Sequence, residues 1–281
     1  MPRPLTVACV QTRAMPSFET ALGECLPLAE EALSQGAQML FLPEYCGGLT
    51  TDGPAVTPPC APAEAHPFLQ AMQAFAADKG IWINLGSIAV DGPDGRILNR
   101  GYMIGPKGQI AGQYDKIHLF DIQLSETEVF RESAHVSPGH AAVIHDTPLA
   151  RIGHTICYDL RYAHLFRALA QGGAEILCCP AAFTAKTGAA HWHVLNRARA
   201  IETTRFVVSP GMTGPVPGGG ETYGHSLIVD PWGTVLGDCG EGPGVVVATL
   251  DLDQVREVQG RIPSLLNDAA FAPVDQVRGA R

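Results

Sequence analysis

The chain has 281 residues, of which 46% are hydrophobic and 17% are charged, a composition typical of a globular protein long enough to bury a sizeable core. Its formal net charge is −9 at pH 7, and its Lys and Arg residues form no cluster. This charge pattern argues against nucleic acid or an anionic membrane as a partner, because either would require a basic face. A small molecule or another protein is the expected partner.

The N-terminal sequence lacks the roughly 7–15-residue apolar core of a signal peptide, and no later run reaches the ~18 apolar residues of a membrane helix. We therefore expect a cytoplasmic protein. Its eight cysteines show neither C-x-x-C spacing nor the Cys/His spacing of a zinc site. Reduced thiols are the expectation for this pattern.

Strand-like and helical runs alternate in the first half of the chain, with Gly, Pro and Asp at the turns. In chain order the predicted elements are a strand in LTVACVQT, a helix in FETALGECLPLAEEALSQGA, a strand in QMLFLPE, a helix in PFLQAMQAFAADKG, and strands in IWINLGSIAV, ILNRGYMIG and GQIAGQYDK. This half therefore reads as β-α-β-α followed by a meander.

The second half repeats the theme. Its predicted elements are a strand in ARIGHTICYD, a helix in YAHLFRALAQGGA, a strand in EILCCPAAF, a helix in HWHVLNRARAIETTR, strands in FVVSPG, GHSLIVDP, GTVLGDC and GVVVATLDL, and a closing helix over about 252–261. Two α/β halves of similar order predict two sheets stacked face to face, each covered outside by helices. We predict one domain over 1–263 and an irregular tail over 264–281.

Three predicted strands end in a residue with reactive chemistry. The run LFLPEYC delivers Glu44, GQYDKIHLF delivers Lys116, and IGHTICYD delivers Cys157. Ligands in open α/β folds gather beyond the carboxyl ends of strands, so these residues can converge although they are distant in sequence. A carboxylate, an ammonium and a thiol would then share one pocket.

In these contexts the chain resembles the nitrilase superfamily of carbon–nitrogen hydrolases. The motifs LPEY, YDKIHLFD and ICYDLRY match the family's base, lysine and nucleophile motifs in order, and the resemblance runs from VACVQ to about Pro263. The runs KIHLFDI, AAFTAKTGAAHW and YGHSLIVDPWGTVLG are similar to those of the Nit-type amidase branch, which includes ω-amidase and deaminated-glutathione amidase. True nitrilases usually carry Trp after the cysteine, where this chain has Tyr158.

The resemblance implies a four-layer αββα sandwich that assembles as a homodimer or higher homo-oligomer. It also implies that hydrolysis passes through a thioester on the cysteine. Such a nucleophile needs a base within hydrogen-bonding reach, because a thiol near neutral pH is mostly protonated. Cys157 would be the nucleophile and Glu44 the general base, and Lys116 with the backbone N–H of Tyr158 would form the oxyanion hole. Glu132 matches the second glutamate of the family, which would orient the lysine and the attacking water; a solvated loop acid is the alternative. No metal or organic cofactor is needed.

Substrate contacts leave alternatives open. Arg161 could clamp a substrate carboxylate or form an ion pair with Asp159 or a neighbouring chain. Phe183 and Thr187 match pocket positions of Nit-type amidases, and a core Phe and a turn Thr are the alternatives. The glycine-rich run GMTGPVPGGGETYGHS is predicted to be a mobile loop near the pocket mouth, with a plain flexible linker as the alternative.

Histidines and departures from the family pattern complete the prediction. His154 lies three residues before Cys157, so its side chain should face the opposite side of the strand, and His118 could point the same way as Lys116. The run HWH at 191–193 lacks the i,i+4 spacing of a helical chelator, so no metal site is predicted.

Tyr162 and His164 replace a Phe and a Glu usual in relatives, which affects the interface or helix packing more than the chemistry.

The leading functional hypothesis is a cysteine-dependent amidase acting on a small carboxylated amide, either an ω-amide of a 2-oxo dicarboxylic acid or deaminated glutathione. A nitrilase, a ureide or carbamoyl hydrolase and an acyltransferase are alternatives with the same fold. From a different class, the chain could be a non-catalytic scaffold. Such a scaffold would have no reason to keep Glu44, Lys116, Glu132 and Cys157 together.

Overall fold

Two stacked β-sheets form the centre of the structure, a computed structural model that describes residues 2–53, 55–92, 94–126, 129–267 and 269–271. The elements before residue 132 are β1 (Pro4–Gln11), α1 (Phe18–Ser34), β2 (Met39–Phe41), β3 (Thr51–Asp52), β4 (Ala55–Val56), β5 (Cys60–Ala61), α2 (Pro67–Lys79), β6 (Trp82–Asp91), β7 (Ile97–Ile104), β8 (Ile110–Asp115), β9 (Asp121–Gln123) and β10 (Val129–Arg131). Those that follow are β11 (Val143–Asp146), β12 (Arg151–His154), α3 (Ala163–Gln171), β13 (Ile176–Cys178), α4 (Ala185–Thr203), β14 (Phe206–Ser209), β15 (Thr213–Pro215), β16 (Glu221–Tyr223), β17 (Leu227–Val229), β18 (Val235–Asp238), β19 (Gly244–Asp251) and α5 (Gln254–Arg261).

The first helices begin and end where their residues dictate. Ser17 precedes α1 and accepts a hydrogen bond from the Thr20 N–H at 3.2 Å, which satisfies an amide that has no partner inside the helix. Pro67 opens α2, and Gly80 ends it in the left-handed conformation at φ +65°. These are the positions that Pro and Gly favour at helix ends.

The first sheet has the strand order β19-β1-β2-β6-β7-β8, with β5 paired to β6, and the second has the order β11-β12-β13-β14-β17-β18. In each sheet the three central strands run parallel: β1, β2 and β6 in the first, and β12, β13 and β14 in the second. Short two-stranded ribbons, β3-β4, β9-β10 and β15-β16, lie outside the two sheets.

Apolar side chains from both sheets fill the space between them. Val7 and Cys9 of β1 meet Phe206 of β14 in this intersheet core. Side chains alternate along a strand, so Ala8 and Val10 point the other way and pack under α1 and α2. A third core lies between the second sheet and the helices α3 and α4. The result is the predicted four-layer αββα sandwich, whose fold class is confirmed.

The fold differs from the sequence prediction in several places. The strand predicted in GVVVATLDL is β19, but it joins the first sheet, where it runs antiparallel to β1 from Pro4↔Asp251 to Gln11↔Gly244. The helix predicted from His191 begins at Ala185. The edge strand β11, which pairs with β12, was not predicted at all.

The segment after α5 is described only in part. Residues 264–266 form a turn, whereas residues 268 and 272–281 of the predicted tail lie outside the described residues. The domain boundary at 263 therefore stays a prediction. Within the part of the chain that is described, no helix has both the length and the hydropathy required to cross a membrane.

Candidate active site

Three strand ends meet at one cavity. Glu44 lies three residues after β2, Lys116 directly after β8 and Cys157 three residues after β12. All three line a cavity of about 310 Å³, at the lower end of the roughly 300–1,000 Å³ range of ligand sites. The convergence expected from the strand ends is therefore present in the fold.

The Lys116 ammonium is held between two carboxylates. Its Nζ atom lies 2.8 Å from Glu44 Oε1 and 2.9 Å from Glu132 Oε2, and none of the three residues is more than 5% exposed. Burial opposes the charge on Lys116, but Glu132 and Glu44 outweigh burial and hold the pKa of the amine well above its usual value. Burial likewise opposes the charge on Glu44, and Lys116 holds the pKa of that carboxyl below 4.5. The site thus keeps a fixed positive charge beside the cavity.

Lys116→Met is expected to lower the free energy of unfolding at neutral pH by about 3–5 kcal/mol, because it leaves buried carboxylates without their cation. The pKa of Glu44 is depressed in the folded state, so the pair stabilises the fold above about pH 4.5, and this stability is lost as the pH falls through the folded-state value. Urea unfolding at pH values from neutral to pH 4 should therefore show that the difference in unfolding free energy between wild type and variant becomes smaller at acidic pH.

The matched control is Lys79→Met, which removes an exposed ion pair with Glu30 and should change stability far less because water screens such pairs. Equal losses of unfolding free energy in the two variants would contradict a stabilising buried pair. A loss in Lys116→Met that does not shrink at acidic pH would contradict it as well.

Cys157 opens a short 3-10 helix, Cys157–Arg161, and lines the cavity. The strand itself ends at His154, earlier than the sequence predicted, and Cys157 adopts a left-handed backbone at φ +48°. Its N–H donates to Pro180 O at 2.9 Å, which helps to hold a conformation that costs energy for a residue other than glycine. Burial and the Glu44 carboxylate raise the pKa of the thiol well above its usual value, so the thiol needs a base to react.

A buried carboxylate fixes this turn. Asp159 accepts hydrogen bonds from the Ile156 N–H at 2.8 Å and the Tyr114 hydroxyl at 2.7 Å. His118 Nδ1 lies 2.7 Å from the same carboxylate, and the His118 ring stacks on Tyr162 at 3.5 Å. His118 therefore supports the turn that carries the thiol, through Asp159.

Two side chains and one backbone amide around the glutamates were missed by sequence reasoning. Asn99 Nδ2 donates to Glu44 Oε1 at 2.9 Å, and the Ala182 N–H donates to Glu44 Oε2 at 2.8 Å. The Tyr45 hydroxyl donates to Glu132 Oε1 at 3.4 Å. A polar Asn inside the apolar β7 was the only signal for Asn99, and adjacency to Glu44 the only one for Tyr45. Together these donors orient both carboxylates toward Lys116.

Phe183 and Thr187 both lie in the cavity wall. Thr187 is on the first turn of α4, where its hydroxyl lies 2.7 Å from that of Thr184. The wall around the thiol is largely apolar, with these members: Leu49, Val56, Phe120, Leu124, Phe130, Tyr158, Phe183 and Val216. Polar groups come from Thr51, Thr184, Lys186, Thr187, Glu221 and Thr222.

Arg161 lies behind this wall and is not among the described residues that line the cavity. Its guanidinium packs over the rings of Phe183, at 5.4 Å, and Tyr158, at 5.8 Å. Its Nη2 atom lies 3.3 Å from His191 Nδ1. This geometry places Arg161 where it supports two aromatic wall residues.

The predicted glycine-rich loop contains the hairpin β15-β16, whose turn reaches the cavity at Gly219 and Gly220. The turn is fixed to β3, because the Thr51 N–H donates to Pro217 O at 2.9 Å. Gly218 has φ +96°, and a Cβ there would lie 1.8 Å from Thr51 O. Only glycine therefore allows the hairpin to approach so closely.

His154 is fully buried between the sheets, where it faces His145 at 3.1 Å and Gly86 O at 3.2 Å. Burial lowers the pKa of His154 well below its usual value and that of His145 to about 4, so both are neutral core residues. Cys178 and Cys179 are buried free thiols that pack in two of the apolar cores.

Comparison with known proteins adds an independent line of evidence. A family model described as carbon-nitrogen hydrolase matches residues 6–259. A protein named deaminated glutathione amidase from Synechocystis sp. (strain PCC 6803 / GT-S) is 38% identical over 269 residues, which cover 94% of this chain and 97% of that protein. A human protein of the same name is 37% identical over 265 residues, which cover 92% of this chain and 80% of the relative.

Solved structures match the same fold. The crystal structure of the C. elegans NitFhit protein superposes with a TM-score of 0.86 at 29% identity over 94% of this chain, which spans only 65% of that longer protein. The crystal structure of Saccharomyces cerevisiae Nit3, a member of branch 10 of the nitrilase superfamily, gives a TM-score of 0.81 at 26% identity, covering 93% of this chain and 95% of that one.

Proposed function

The chain belongs to the carbon–nitrogen hydrolase family, and we propose that it is a cysteine-dependent amidase whose substrate is deaminated glutathione. In that molecule an amide bond joins a 2-oxo five-carbon acid to cysteinylglycine. The observation that carries the proposal is the near-full-length similarity to relatives of that name. The enzyme acts on a small molecule, and hydrolysis would release the 2-oxo acid and the dipeptide amine.

In the acylation step, we assign Glu44 as the base for Cys157. Both side chains line the same cavity, and Glu44 is an ionised carboxylate at neutral pH because its pKa is depressed. Sγ attacks the amide carbonyl as its proton passes to Glu44, and Glu44 then protonates the departing nitrogen. The C–N bond breaks, the amine leaves, and a thioester remains on Cys157.

The oxyanion that forms during attack needs donors already in place. We assign this role to the Lys116 ammonium and to the backbone N–H of Tyr158. Tyr158 is the second residue of the 3-10 helix that begins at Cys157, and the first amides of a helix have no acceptor within it. Glu132 holds Lys116 in position with both carboxylate oxygens, at 3.0 and 2.9 Å.

Deacylation reverses the proton transfers. Glu44 takes a proton from a water molecule, which attacks the thioester carbon, and the proton then returns to Sγ as the acid leaves. The Asn99 and Ala182 donors keep Glu44 in one place through both steps, at 2.9 and 2.8 Å. One carboxylate therefore serves as acid and base in turn, with no metal or organic cofactor in the scheme.

We also propose a cytoplasmic homodimer. All eight cysteines are free thiols, which fits a reducing compartment. The outer face of α4 exposes Val194 at 67% and Ile201 at 47%, and Trp232 on the neighbouring turn is 51% exposed. Large apolar side chains gathered on an outer helix layer favour burial against a second copy.

The test is a substrate panel read by product release: the carboxylic acid from the amides and the nitrile, and ammonia from the ureide. It contains deaminated glutathione, 2-oxoglutaramate, 2-oxosuccinamate, a ureide and a simple nitrile, and Cys157→Ala is run alongside. Turnover of deaminated glutathione well above the others, lost in the variant, is expected. Preferred turnover of 2-oxoglutaramate would point to ω-amidase activity. If no substrate is turned over but Cys157 is still alkylated fast, the proposed substrate is wrong. If no substrate is turned over and Cys157 is alkylated slowly, a non-catalytic scaffold is favoured.

The rate of Cys157 alkylation by iodoacetamide should stay nearly constant between about pH 6 and about pH 8. A free thiol reacts through its thiolate, whose fraction rises about tenfold per pH unit below a pKa of about 8.5. Glu44 is ionised throughout that range because its pKa lies below 4.5, so the base is present at every pH. In Glu44→Gln, the alkylation of Cys157 should be slower, and its rate should rise with pH. A tenfold rise per unit in the wild type would contradict activation by Glu44.

A further inference from the structure

A cluster of two histidines and an aspartate lies outside the cavity. His193 is part of α4, His225 lies two residues before β17, and Asp238 is the last residue of β18. One ligand atom of each lies within 4.8 Å of the others. The HWH spacing does not allow chelation from one helix, but the fold brings His193 to two residues from elsewhere in the chain.

The two imidazoles converge on one carboxylate. His193 Nε2 lies 2.9 Å from Asp238 Oδ2, and His225 Nδ1 lies 3.0 Å from Asp238 Oδ1. Two neutral imidazole nitrogens and a carboxylate are the donor set of many three-ligand Zn²⁺ sites, in which water completes the coordination. The side chains are between 22% and 34% exposed, which leaves room for that water.

The surroundings hold the ligands in place. His225 has a left-handed backbone at φ +51°, a strained conformation for histidine. Its N–H donates to Gly240 O at 2.8 Å, and its carbonyl oxygen accepts from Trp192 Nε1 at 2.7 Å. The Gly240 N–H donates to Asp238 Oδ1 at 2.8 Å. These hydrogen bonds hold the backbone of His225 and the Asp238 carboxylate in place beside each other.

We propose that His193, His225 and Asp238 form a binding site for a divalent transition-metal ion, with Zn²⁺ as the ion that suits it best. The role is structural and does not enter the amidase chemistry. The site joins α4 to the segment that follows β16. Two residues of β16 itself, Glu221 and Thr222, line the cavity. The ring of Tyr223, the last residue of β16, stacks on His225 at 4.5 Å. Bound metal would therefore stiffen one wall of the cavity.

The test is calorimetric titration of the full, chelator-treated chain with Zn²⁺ in a Cys157→Ala background, which removes the cavity thiol as a competing ligand. We expect one ion per chain. His193→Gln and Asp238→Asn should each weaken binding by more than the about 10–100-fold cost of losing an outer-shell partner. The control is His191→Gln, because His191 lies on the same helix but outside the cluster, and it should bind as the parent does.

Thermal unfolding provides the second readout. Zn²⁺ should raise the Tm of the parent and of His191→Gln, because a ligand that binds only the folded state stabilises it, and it should leave the Tm of His193→Gln and Asp238→Asn unchanged. Two variants protect the test against the misfolding of either one. Absence of saturable binding in the parent, or binding that survives both His193→Gln and Asp238→Asn, would overturn the proposal.

Discussion

Cys157→Ala is expected to lower kcat/KM by about 10⁶-fold, the order of magnitude that removal of a covalent nucleophile costs a hydrolase. The side chain lines the cavity and is 7% exposed, so its removal enlarges an existing space rather than creating a sealed void. The variant should therefore fold normally and keep its affinity for the substrate. Kinetics of acid release and the thermal midpoint, measured together, separate lost chemistry from lost structure.

Cys178→Ala is the matched control for this experiment. Cys178 is also a buried free thiol, but it packs in the core between the sheets. It should lose some stability and keep full activity and full alkylation by iodoacetamide. Activity that survives Cys157→Ala, or falls equally in both variants, would contradict a covalent role for Cys157.

Glu44→Gln is expected to reduce kcat by about 10²–10⁴-fold, the usual contribution of a positioned acid–base group. Gln cannot accept the Cys157 proton, protonate the leaving amine or activate water, so both half-reactions slow. Lys116 keeps Glu132 at 2.9 Å in this variant, so the buried ammonium remains paired and the chain should fold. Single-turnover kinetics with the substrate identified by the panel provide the measurement.

Glu175→Gln controls for the loss of a paired glutamate. Glu175 is 9% exposed and lies 2.7 Å from Arg3, away from the residues that line the cavity. Its replacement should cost stability and spare kcat. An unchanged kcat in Glu44→Gln would remove Glu44 from the chemistry, whatever its effect on stability.

The sequence predicted the sandwich and the meeting of Glu44, Lys116 and Cys157, because strand ends and short motifs are local signals. It did not predict that Asn99 reaches Glu44, since that contact depends on how strands pair between residues that are 55 positions apart. The start of α4 was missed because residues 185–190, AKTGAA, carry no apolar periodicity. The position of β19 beside β1 is a long-range pairing that no local pattern encodes.

The same limit applies at the cluster of His193, His225 and Asp238. The three residues come from α4, from the segment before β17 and from β18. The histidines of HWH also have different partners: His191 contacts Arg161, and His193 contacts Asp238. Spacing rules for metal ligands find sites within one helix or loop. They cannot find a site assembled by tertiary packing.

The central claim is that amide hydrolysis passes through a thioester on Cys157, and hydroxylamine partitioning tests it most directly. The enzyme is given the amide substrate and, separately, the methyl ester of the same acid, each with a fixed concentration of hydroxylamine. A shared thioester predicts the same ratio of hydroxamate to acid from both substrates, because the leaving group has departed before the ratio is set. Different ratios, or amine release without any hydroxamate, would contradict the thioester.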